Sequence, residues 1–431
     1  MIKKYFAAAL LIAISSVAWA QSPPAEQQQA PPPGQETSSS QAEPPPPESG
    51  GSSLVEDILD STGNRLGFSF SSFEMYTTNG MKGPQRSALA MAVLYPQIFT
   101  NRRGKRSTLH LDYGIGYRAY HGKSELNSFS QTGFASWEVR LGRYTMLQLS
   151  DTFSSSPNDY GFSPGGRLSQ LEFQPIYSQE ILVDRQRMIT NSVALSVSQR
   201  VTKRMKASVF GSYDYLRYSR DNFRDVKGYQ VGVRADYQIN SWLYLDNSYS
   251  TYLNTIDDKL RSSNIHRLQV GGLRFQLSRR TQFFTTGALE YTGYQGEKHT
   301  TAGIESGISR TTRSNSLQIS YHRGLSTTLG PGAILQGHNA TLSFSQRVGS
   351  RLTFQMDGSY LRGKGFTPDS SMESISGYGG LQIGLQRNLV ATTNVGFVSQ
   401  RLSNLPIVAP DLRRYTAYAG LQYFLPTLRG R

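Results

Sequence analysis

The sequence predicts an all-β protein: a transmembrane antiparallel β-barrel of about 18 strands (16–20), preceded by a disordered proline-rich N-terminal leader. Three observations predict this fold. Apolar and polar side chains alternate along segments of roughly 10 to 14 residues, which is long enough for tilted strands to cross a bilayer. Short and long connections between these segments alternate strictly. The chain also begins with an export signal.

The first 20 residues have the layout of a cleaved signal peptide. Lys3 and Lys4 precede an apolar stretch, and Ala18-Trp19-Ala20 supplies the small-x-small cleavage pattern. The apolar stretch is too short for a membrane anchor. The chain contains no cysteine, which excludes a lipid anchor on cysteine, a disulfide framework and a thiolate metal site. The mature chain is therefore expected to leave the cytoplasm.

Four further segments are expected after the signal peptide. Residues 21–53 form an acidic leader rich in proline, glutamine and serine, for which disorder is predicted. Residues 54–65 are expected to be a short lead-in or a plug segment. The barrel is predicted over residues 66–424, and a tail over residues 425–431. The charge is uneven, because residues 21–60 carry seven acids and no lysine or arginine, while the whole chain has a net charge of +15.

Residues 341–361 show the pattern that repeats through the barrel region. Their sequence, TLSFSQRVGSRLTFQMDGSYL, alternates apolar and polar residues on both sides of a short basic turn, as a hairpin of half-buried strands does. Eight short and nine long connections of this kind predict 18 strands. The longest connection, residues 155–187, would either fold inward as a constriction or cover the barrel from outside, and both alternatives stay open.

The strand length, the even strand number and the alternation of short turns with longer loops resemble bacterial outer-membrane β-barrel proteins of the porin-like kind. The resemblance covers residues 66–424, and no motif ties the chain to one specific family. It implies a location in the outer membrane of a Gram-negative-type bacterium, with the leader in the periplasm. It also implies outer-membrane lipid and the barrel assembly machinery as partners. A periplasmic partner of the leader is a further hypothesis.

The charged side chains of the predicted strands share the face opposite to the apolar residues. A lysine or arginine facing lipid at the membrane midplane costs about 2–4 kcal/mol, so this face is expected to point into the barrel. The pore-lining candidates are Asp112, Arg118, Glu138, Arg140, Lys206, Asp214, Arg234, Asp236, Arg274, Glu290, Glu305 and Asp357. They would select solutes by charge, or they would only pair with one another in a polar interior. Asp151 and the pair Gly271–Gly272 break the alternation, and a β-bulge or a shifted register would explain either.

Two rings of side chains are expected at the barrel ends. Tyrosines on the apolar face recur near the long connections and predict an aromatic girdle, although strand propensity alone is the alternative. The girdle residues are Tyr117, Tyr215, Tyr291, Tyr321 and Tyr360. The short connections predict a basic periplasmic rim that comprises Arg102, Arg103, Lys105, Arg200, Lys203, Arg279, Arg280, Arg347 and Arg351. The rim would attract acidic solutes or the acidic leader, or it would merely be solvated.

The sequence lacks the patterns of an enzyme or of a cofactor protein. Its six histidines show no spacing typical of a metal site, a barrel lipase or a barrel protease. Its glycine-rich stretches are not followed by a helix that would bind phosphate. No catalytic residue, no metal and no cofactor are therefore predicted. The export signal and the strand pattern argue against nucleic acid as a partner, despite the basic charge.

The expected function is an outer-membrane channel for passive diffusion of small hydrophilic solutes, with anionic solutes as the finer expectation. Two alternatives remain open. An exporter of an acidic exopolysaccharide would also use a basic barrel. A non-conducting scaffold would instead bind partners through its long loops while its lumen stays plugged. Conductance separates these alternatives, because only an open lumen carries a large, steady current.

Overall fold

The computed structural model describes most of the region in which the barrel is predicted. The described residues are 66–78, 88–157, 178–180, 187–219, 225–256, 262–294, 297–329, 334–366, 370–403 and 412–425. The predicted signal peptide, leader and lead-in segment lie outside them, as do residues 426–431 of the predicted tail. Most of the connection 155–187 also lies outside the described residues.

Eighteen long β-strands follow one another along the described chain. Their bounds are β1 Leu66–Thr77, β2 Leu89–Arg103, β3 Ser107–Tyr120, β4 Ser128–Arg140, β5 Thr145–Pro157, β6 Arg187–Arg200, β7 Met205–Tyr218, β8 Val226–Gln238, β9 Leu243–Ile256, β10 Ser262–Ser278, β11 Thr281–Tyr294, β12 Glu297–Thr311, β13 Asn315–Leu329, β14 Ile334–Val348, β15 Leu352–Gly365, β16 Ser371–Gln386, β17 Leu389–Ser403 and β18 Leu412–Leu425. A short strand, Ser178–Glu180, and a 3-10 turn, Ser124–Leu126, complete the regular elements of the described ranges. No helix in those ranges is both long and apolar enough to cross a bilayer.

The 18 strands form one closed antiparallel sheet. Each strand pairs with the next along the chain, and β1 closes the ring against β18, with Phe68 opposite Leu425 and Thr77 opposite Thr416. Eight connections of two to four residues join the strands at one end, here called the short-turn end. The other end is called the long-loop end. The predicted antiparallel β-barrel and the predicted number of 18 strands are confirmed.

Alternate side chains of each strand face the outside and the lumen. In β1, Phe68 and Phe70 are exposed on the outer face, whereas Ser69 and Ser71 are buried. Exposed apolar residues recur around the outer face and include Leu94, Ile98, Leu111, Ile115, Leu149, Val233, Leu268, Leu289, Ile304, Ile319, Met356, Ile375, Val395 and Leu421. Closure pairs the first strand with the last, so no whole strand is left as an open edge and such a wall is stable in hydrocarbon. The barrel therefore spans a membrane.

A β-bulge in β10 switches the side-chain parity of that strand. Its pairing with β11 shifts just after Val270, and Gly271 has a φ of 69°, in the left-handed region that glycine tolerates best. The Asn247 side-chain oxygen accepts the Gly271 N–H at 2.9 Å. Because of the bulge, Arg267 and Arg274 both face the lumen although they are seven residues apart. The bulge explanation is confirmed for this strand.

Asp151 lies on the outer face with no bulge nearby. The pairing of β5 with β4 and β6 runs without a register shift, and Ala135 and Val193 lie directly opposite Asp151. The bulge and register explanations therefore do not hold for this residue. Asp151 is an acidic side chain on the membrane-facing surface.

Candidate functional site in the lumen

All twelve pore-lining candidates lie on the lumen side of the wall. Asp112, for example, is opposite the buried side chains of Phe99 and Phe134. The candidates are Asp112 and Arg118 on β3, Glu138 and Arg140 on β4, Lys206 and Asp214 on β7, Arg234 and Asp236 on β8, Arg274 on β10, Glu290 on β11, Glu305 on β12 and Asp357 on β15. That solutes contact them stays a prediction.

Four lumen side chains near the short-turn end form a network, here called the lower charge cluster. Its members are Arg234, Asp236, Asp246 and Arg274. Arg234 lies 2.9 Å from Asp236 and 3.1 Å from Asp246. Arg274 lies 3.2 Å from Asp236 and 3.1 Å from Asp246. It also lies 5.3 Å from the centre of the Tyr244 ring. Two cations and two carboxylates balance here, so the cluster fixes side-chain positions and leaves little net charge.

A second network, the upper charge cluster, lies nearer the long-loop end and comprises Arg267, Glu290, Glu305 and His322. Arg267 lies 3.4 Å from Glu290 and 3.0 Å from Glu305. His322 Nε2 lies 3.6 Å from the Glu290 carboxylate, of which only 1% is exposed. A carboxylate buried this deeply is costly unless it is paired. The cationic Arg267 therefore holds Glu290 at this position.

The seam between β12 and β13 opens toward the long-loop end. These two strands pair only as far as Ile304 and Arg323, whereas β13 continues to pair with β14 up to Thr327. Beyond Arg323, the Leu325 N–H donates to Glu290 Oε2 at 2.5 Å. The carboxylate thus replaces the β12 backbone as the hydrogen-bond partner of β13. The Glu290 side chain of β11 therefore lies at the point where β12 and β13 cease to pair.

The end of the β13–β14 hairpin turns into the lumen. An apolar cluster, here called the hairpin contact, consists of Leu325, Ile334, Tyr252, Ile265 and Phe366. Tyr252 and Ile265 point inward from β9 and β10, so the hairpin lies against the inner wall. Gln336 Nε2 of the hairpin also donates to Thr301 Oγ1 on β12 at 2.7 Å. The hairpin therefore narrows the lumen at the long-loop end.

The short strand Ser178–Glu180 lies beside this hairpin. It pairs in parallel with residues Thr327 to Leu329 of β13. The other edge of β13 pairs with β14, so the short strand occupies the edge that β12 has left. This described piece of the connection 155–187 is thus attached to the inward-turned hairpin, in keeping with the constriction alternative.

The opposite wall is apolar and aromatic on its lumen side. Six buried residues of β1–β3 pack together there: Phe73, Met75, Leu89, Met91, Val93 and Tyr120. Nearby, the Tyr95 ring lies over Gly114 and Gly116, where a side chain would collide with it, and its hydroxyl contacts Thr132 Oγ1. The lumen therefore has a charged wall formed by β8–β12 and an apolar wall around β2. In β1–β3, apolar residues therefore lie on both faces of the wall.

The remaining acidic candidates differ in exposure. His110 Nε2 lies 3.6 Å from the Asp112 carboxylate, and both side chains are buried. The Ser192 hydroxyl donates to Asp214 at 2.6 Å. Asp357 is instead exposed to the lumen. Asp357 is thus the acidic candidate best placed to meet a solute.

The five predicted girdle tyrosines lie on the outer face. Two of them show how an apolar ring and a polar tip are accommodated there. Tyr117 accepts a hydrogen bond from Asn127 Nδ2 at 3.2 Å, and Tyr321 lies 2.7 Å from His338 Nδ1. The other three are Tyr215, Tyr291 and Tyr360. Amphipathic rings of this kind suit the border between hydrocarbon and water. Their role as a girdle stays a prediction.

The nine predicted rim residues lie at or beside the short connections. Arg102 and Arg103 end β2, for example, and Arg279 and Arg280 form the whole connection between β10 and β11. The others are Lys105, Arg200, Lys203, Arg347 and Arg351. The eight short connections together contain ten lysines and arginines and no acidic residue. The short-turn end is therefore strongly positive.

Three central residues of the clusters were not among the sequence-based candidates: Asp246, Arg267 and His322. Strict alternation along β9 identifies Asp246, because Tyr244, Asp246 and Ser248 share one face. Alternation along β13 identifies His322 in the same way. Arg267 can be identified only if the alternation of side chains in β10 is assigned separately for the residues before the bulge. The alternation that places these three residues in the lumen can be read from the sequence, whereas the residues with which they pair cannot.

No protein-family model and no curated protein matches the sequence. Solved structures of similar fold include outer-membrane porin-like barrels. The siderophore receptor PirA from Pseudomonas aeruginosa shares 11% identity and a TM-score of 0.43, over 84% of this chain and 80% of the receptor. OccK9 (OpdG) from Pseudomonas aeruginosa shares 11% identity and a TM-score of 0.43, over 85% and 100% of the two chains. A BenF-like porin from Pseudomonas fluorescens shares 8% identity and a TM-score of 0.42, over 84% and 99%. At these identities the likeness concerns the fold alone.

Proposed function

We propose that the protein is an outer-membrane channel through which small hydrophilic solutes diffuse passively, with a preference for anions. The observation that carries the proposal is the contrast between the two faces of the closed wall. The outer face is apolar, while the lumen holds two charge clusters and further single charges. Charged groups inside a barrel require water or partners, and 18 strands enclose more space than side chains fill. A water-filled passage meets both requirements.

The preference for anions is proposed from the short-turn end. Ten basic residues and no acid lie in its connections, and the lower charge cluster beside it is balanced. Fixed charge of one sign at a narrow entrance raises the local concentration of oppositely charged solutes. The effect should weaken with added salt, because the Debye length falls from about 30 Å at 0.01 M to about 10 Å at 0.1 M.

Single-channel recording in planar lipid bilayers tests the proposal. The mature chain is expected to insert in discrete steps of conductance. Under a potassium chloride gradient, the reversal potential should show that chloride permeates better than potassium. Discrete steps with cation preference would overturn the anionic part of the proposal. The absence of steps from correctly folded, inserted protein would overturn the channel itself.

A non-conducting scaffold barrel is the second candidate. The inward-turned β13–β14 hairpin favours it, because Leu325 and Ile334 pack against lumen residues of the wall and the short strand pairs with the same hairpin. The recording separates the two candidates when the hairpin contact is weakened by Leu325→Ser and Ile334→Ser. A scaffold is silent in the wild type and conducts only after this change. A channel conducts in both forms.

A further inference from the structure

The outer face of the barrel carries a polar pair where lipid is expected. Asn191 Nδ2 of β6 donates to Asp151 Oδ1 of β5 at 2.8 Å. Asp151 is the seventh of the 13 residues of β5, so it lies far from both ends of the strand. Its neighbours on the outer face include Leu149 and Phe153 on the same strand and Val193 on β6. Hydrocarbon therefore surrounds a carboxylate and a carboxamide.

The pair is incompletely satisfied by the described residues. A carboxylate offers about four acceptor sites, and a carboxamide offers two N–H donors. The contact with Asn191 uses one of each. Both side chains remain partly exposed, and neither water nor a lipid headgroup is available halfway across a bilayer to complete their hydrogen bonds. Polar groups at this depth are costly and usually mark an interaction.

An apolar groove adjoins the pair. It has a volume of about 420 Å³ and is open to the outside. Among the side chains that line it are Leu66, Ile98, Leu111, Ala135 and Phe153. Asp151 also belongs to its lining. The groove is thus mostly apolar and carries the carboxylate of Asp151 in its lining.

We propose that this face binds a second copy of the chain within the membrane. Both copies insert in the same orientation, so a two-fold axis along the membrane normal keeps Asp151 and Asn191 of both copies at the same depth. Each carboxylate then accepts from its own Asn191 and from the partner's Asn191, and the apolar surface of one wall covers the groove of the other. The acceptor and donor are self-complementary, as a two-fold interface requires. An acyl chain could fill the groove but supplies no donor to Asp151.

Cross-linking in lipid nanodiscs tests the interface, and the absence of native cysteine makes the experiment clean. Leu149→Cys places a thiol on the proposed face, whereas Met356→Cys places one on the far side of the barrel. The two native side chains have nearly equal exposure, at 37% and 38%, so the variants are matched. Oxidation should convert Leu149→Cys, but not Met356→Cys, into covalent dimers. Equal yields from the two variants would overturn the proposal.

A second measurement examines the polar pair itself. Asp151→Leu should weaken dimerisation roughly tenfold, as expected for losing hydrogen bonds within a membrane, and native mass spectrometry should show the shift to one copy. Thr285→Val is the control, because Thr285 and Ser306 form a different polar pair on the outer face, between two hydroxyls 3.0 Å apart. It should leave the dimer intact. A wild-type chain with the mass of one copy, or an Asp151→Leu chain that dimerises as well as the wild type, would overturn the proposal.

Discussion

Glu290 shows how burial separates structural charges from charges that can act on solutes. Its side chain is 1% exposed, and it contacts Arg267, His322 and the Leu325 N–H. Asp357 carries the same charge on the same lumen surface but is exposed. Removal of the buried carboxylate takes away one of the two acidic partners of Arg267 and the acceptor of the Leu325 N–H. The exposed one can change at little cost to folding, so its charge is available to a solute.

Glu290→Ala should lower the free energy of unfolding by about 1–3 kcal/mol, because it removes one of the two carboxylates that pair with Arg267 and leaves the buried Leu325 N–H without its acceptor. Urea unfolding in lipid vesicles measures this change. Asp357→Asn is the control and should alter the free energy of unfolding by less than about 0.5 kcal/mol. Equal stability of Glu290→Ala and the wild type would show that the upper charge cluster does not hold the seam.

Asp246→Asn should increase the preference for anions. The substitution leaves the Arg234 and Arg274 cations opposite one carboxylate instead of two. A change of roughly 0.5–1 kcal/mol in the local potential corresponds to about a two- to fivefold rise in the chloride-to-potassium permeability ratio. Reversal potentials measure the ratio. Glu74→Gln, on the outer face of β1, removes the same charge and should leave the permeability ratio unchanged; a similar rise in both variants would argue against a local effect in the lumen.

At the scale of elements, the β13–β14 hairpin differs from its neighbours because its end bends into the lumen. The side chains that continue the outer face of these two strands therefore contact the inner wall of the barrel. Leu325 and Ile334 are almost fully buried against Tyr252 and Ile265. Elsewhere in the described barrel, hairpins stay in the wall through pairing on both sides. The hairpin is therefore held by side-chain packing at the position where backbone pairing with β12 has ended.

Leu325→Ser with Ile334→Ser should release the hairpin and raise the single-channel conductance. Each large-to-small change in a buried apolar cluster costs about 2–5 kcal/mol, enough to favour the detached hairpin over the packed one. Leu361→Ser is the control, because Leu361 is equally buried on the lumen side of β15 but lies outside the hairpin contact. Unchanged conductance in the double variant would show that this hairpin does not limit the passage.

The sequence predicts the elements whose structure depends on neighbouring residues. It does not predict the features whose structure depends on residues far apart in the chain. The 18 strands follow from two-residue alternation and turn residues, which act locally. The lumen position of Asp112 or Glu305 follows from the same alternation. The departure of β13 from β12 depends on Glu290 of another hairpin and on Tyr252 of β9. The inward packing of Phe73 likewise depends on Tyr418 of β18, which closure brings beside β1.

At the scale of the whole molecule, charge is divided between two regions of the sequence. Residues 21–60 carry seven acids and no lysine or arginine, whereas the short connections of the barrel carry ten basic residues and no acid. Opposite charges on one chain attract over distances set by the salt concentration. We therefore predict that the acidic segment 21–60 competes with solutes for the basic rim, at the high local concentration that a covalent link provides.

Deletion of residues 21–60 should increase the preference for anions, because it removes acids that would otherwise neutralise the rim. The increase should be larger at 0.01 M than at 1 M potassium chloride, since the Debye length falls from about 30 Å to about 3 Å. Reversal potentials of the mature chain and of the deletion variant measure it. A variant with the seven acids replaced by glutamine and asparagine keeps the length of the segment and should match the deletion. If the deletion changes selectivity and the neutral variant does not, the segment acts by occupying space; if neither changes it, the leader does not reach the rim.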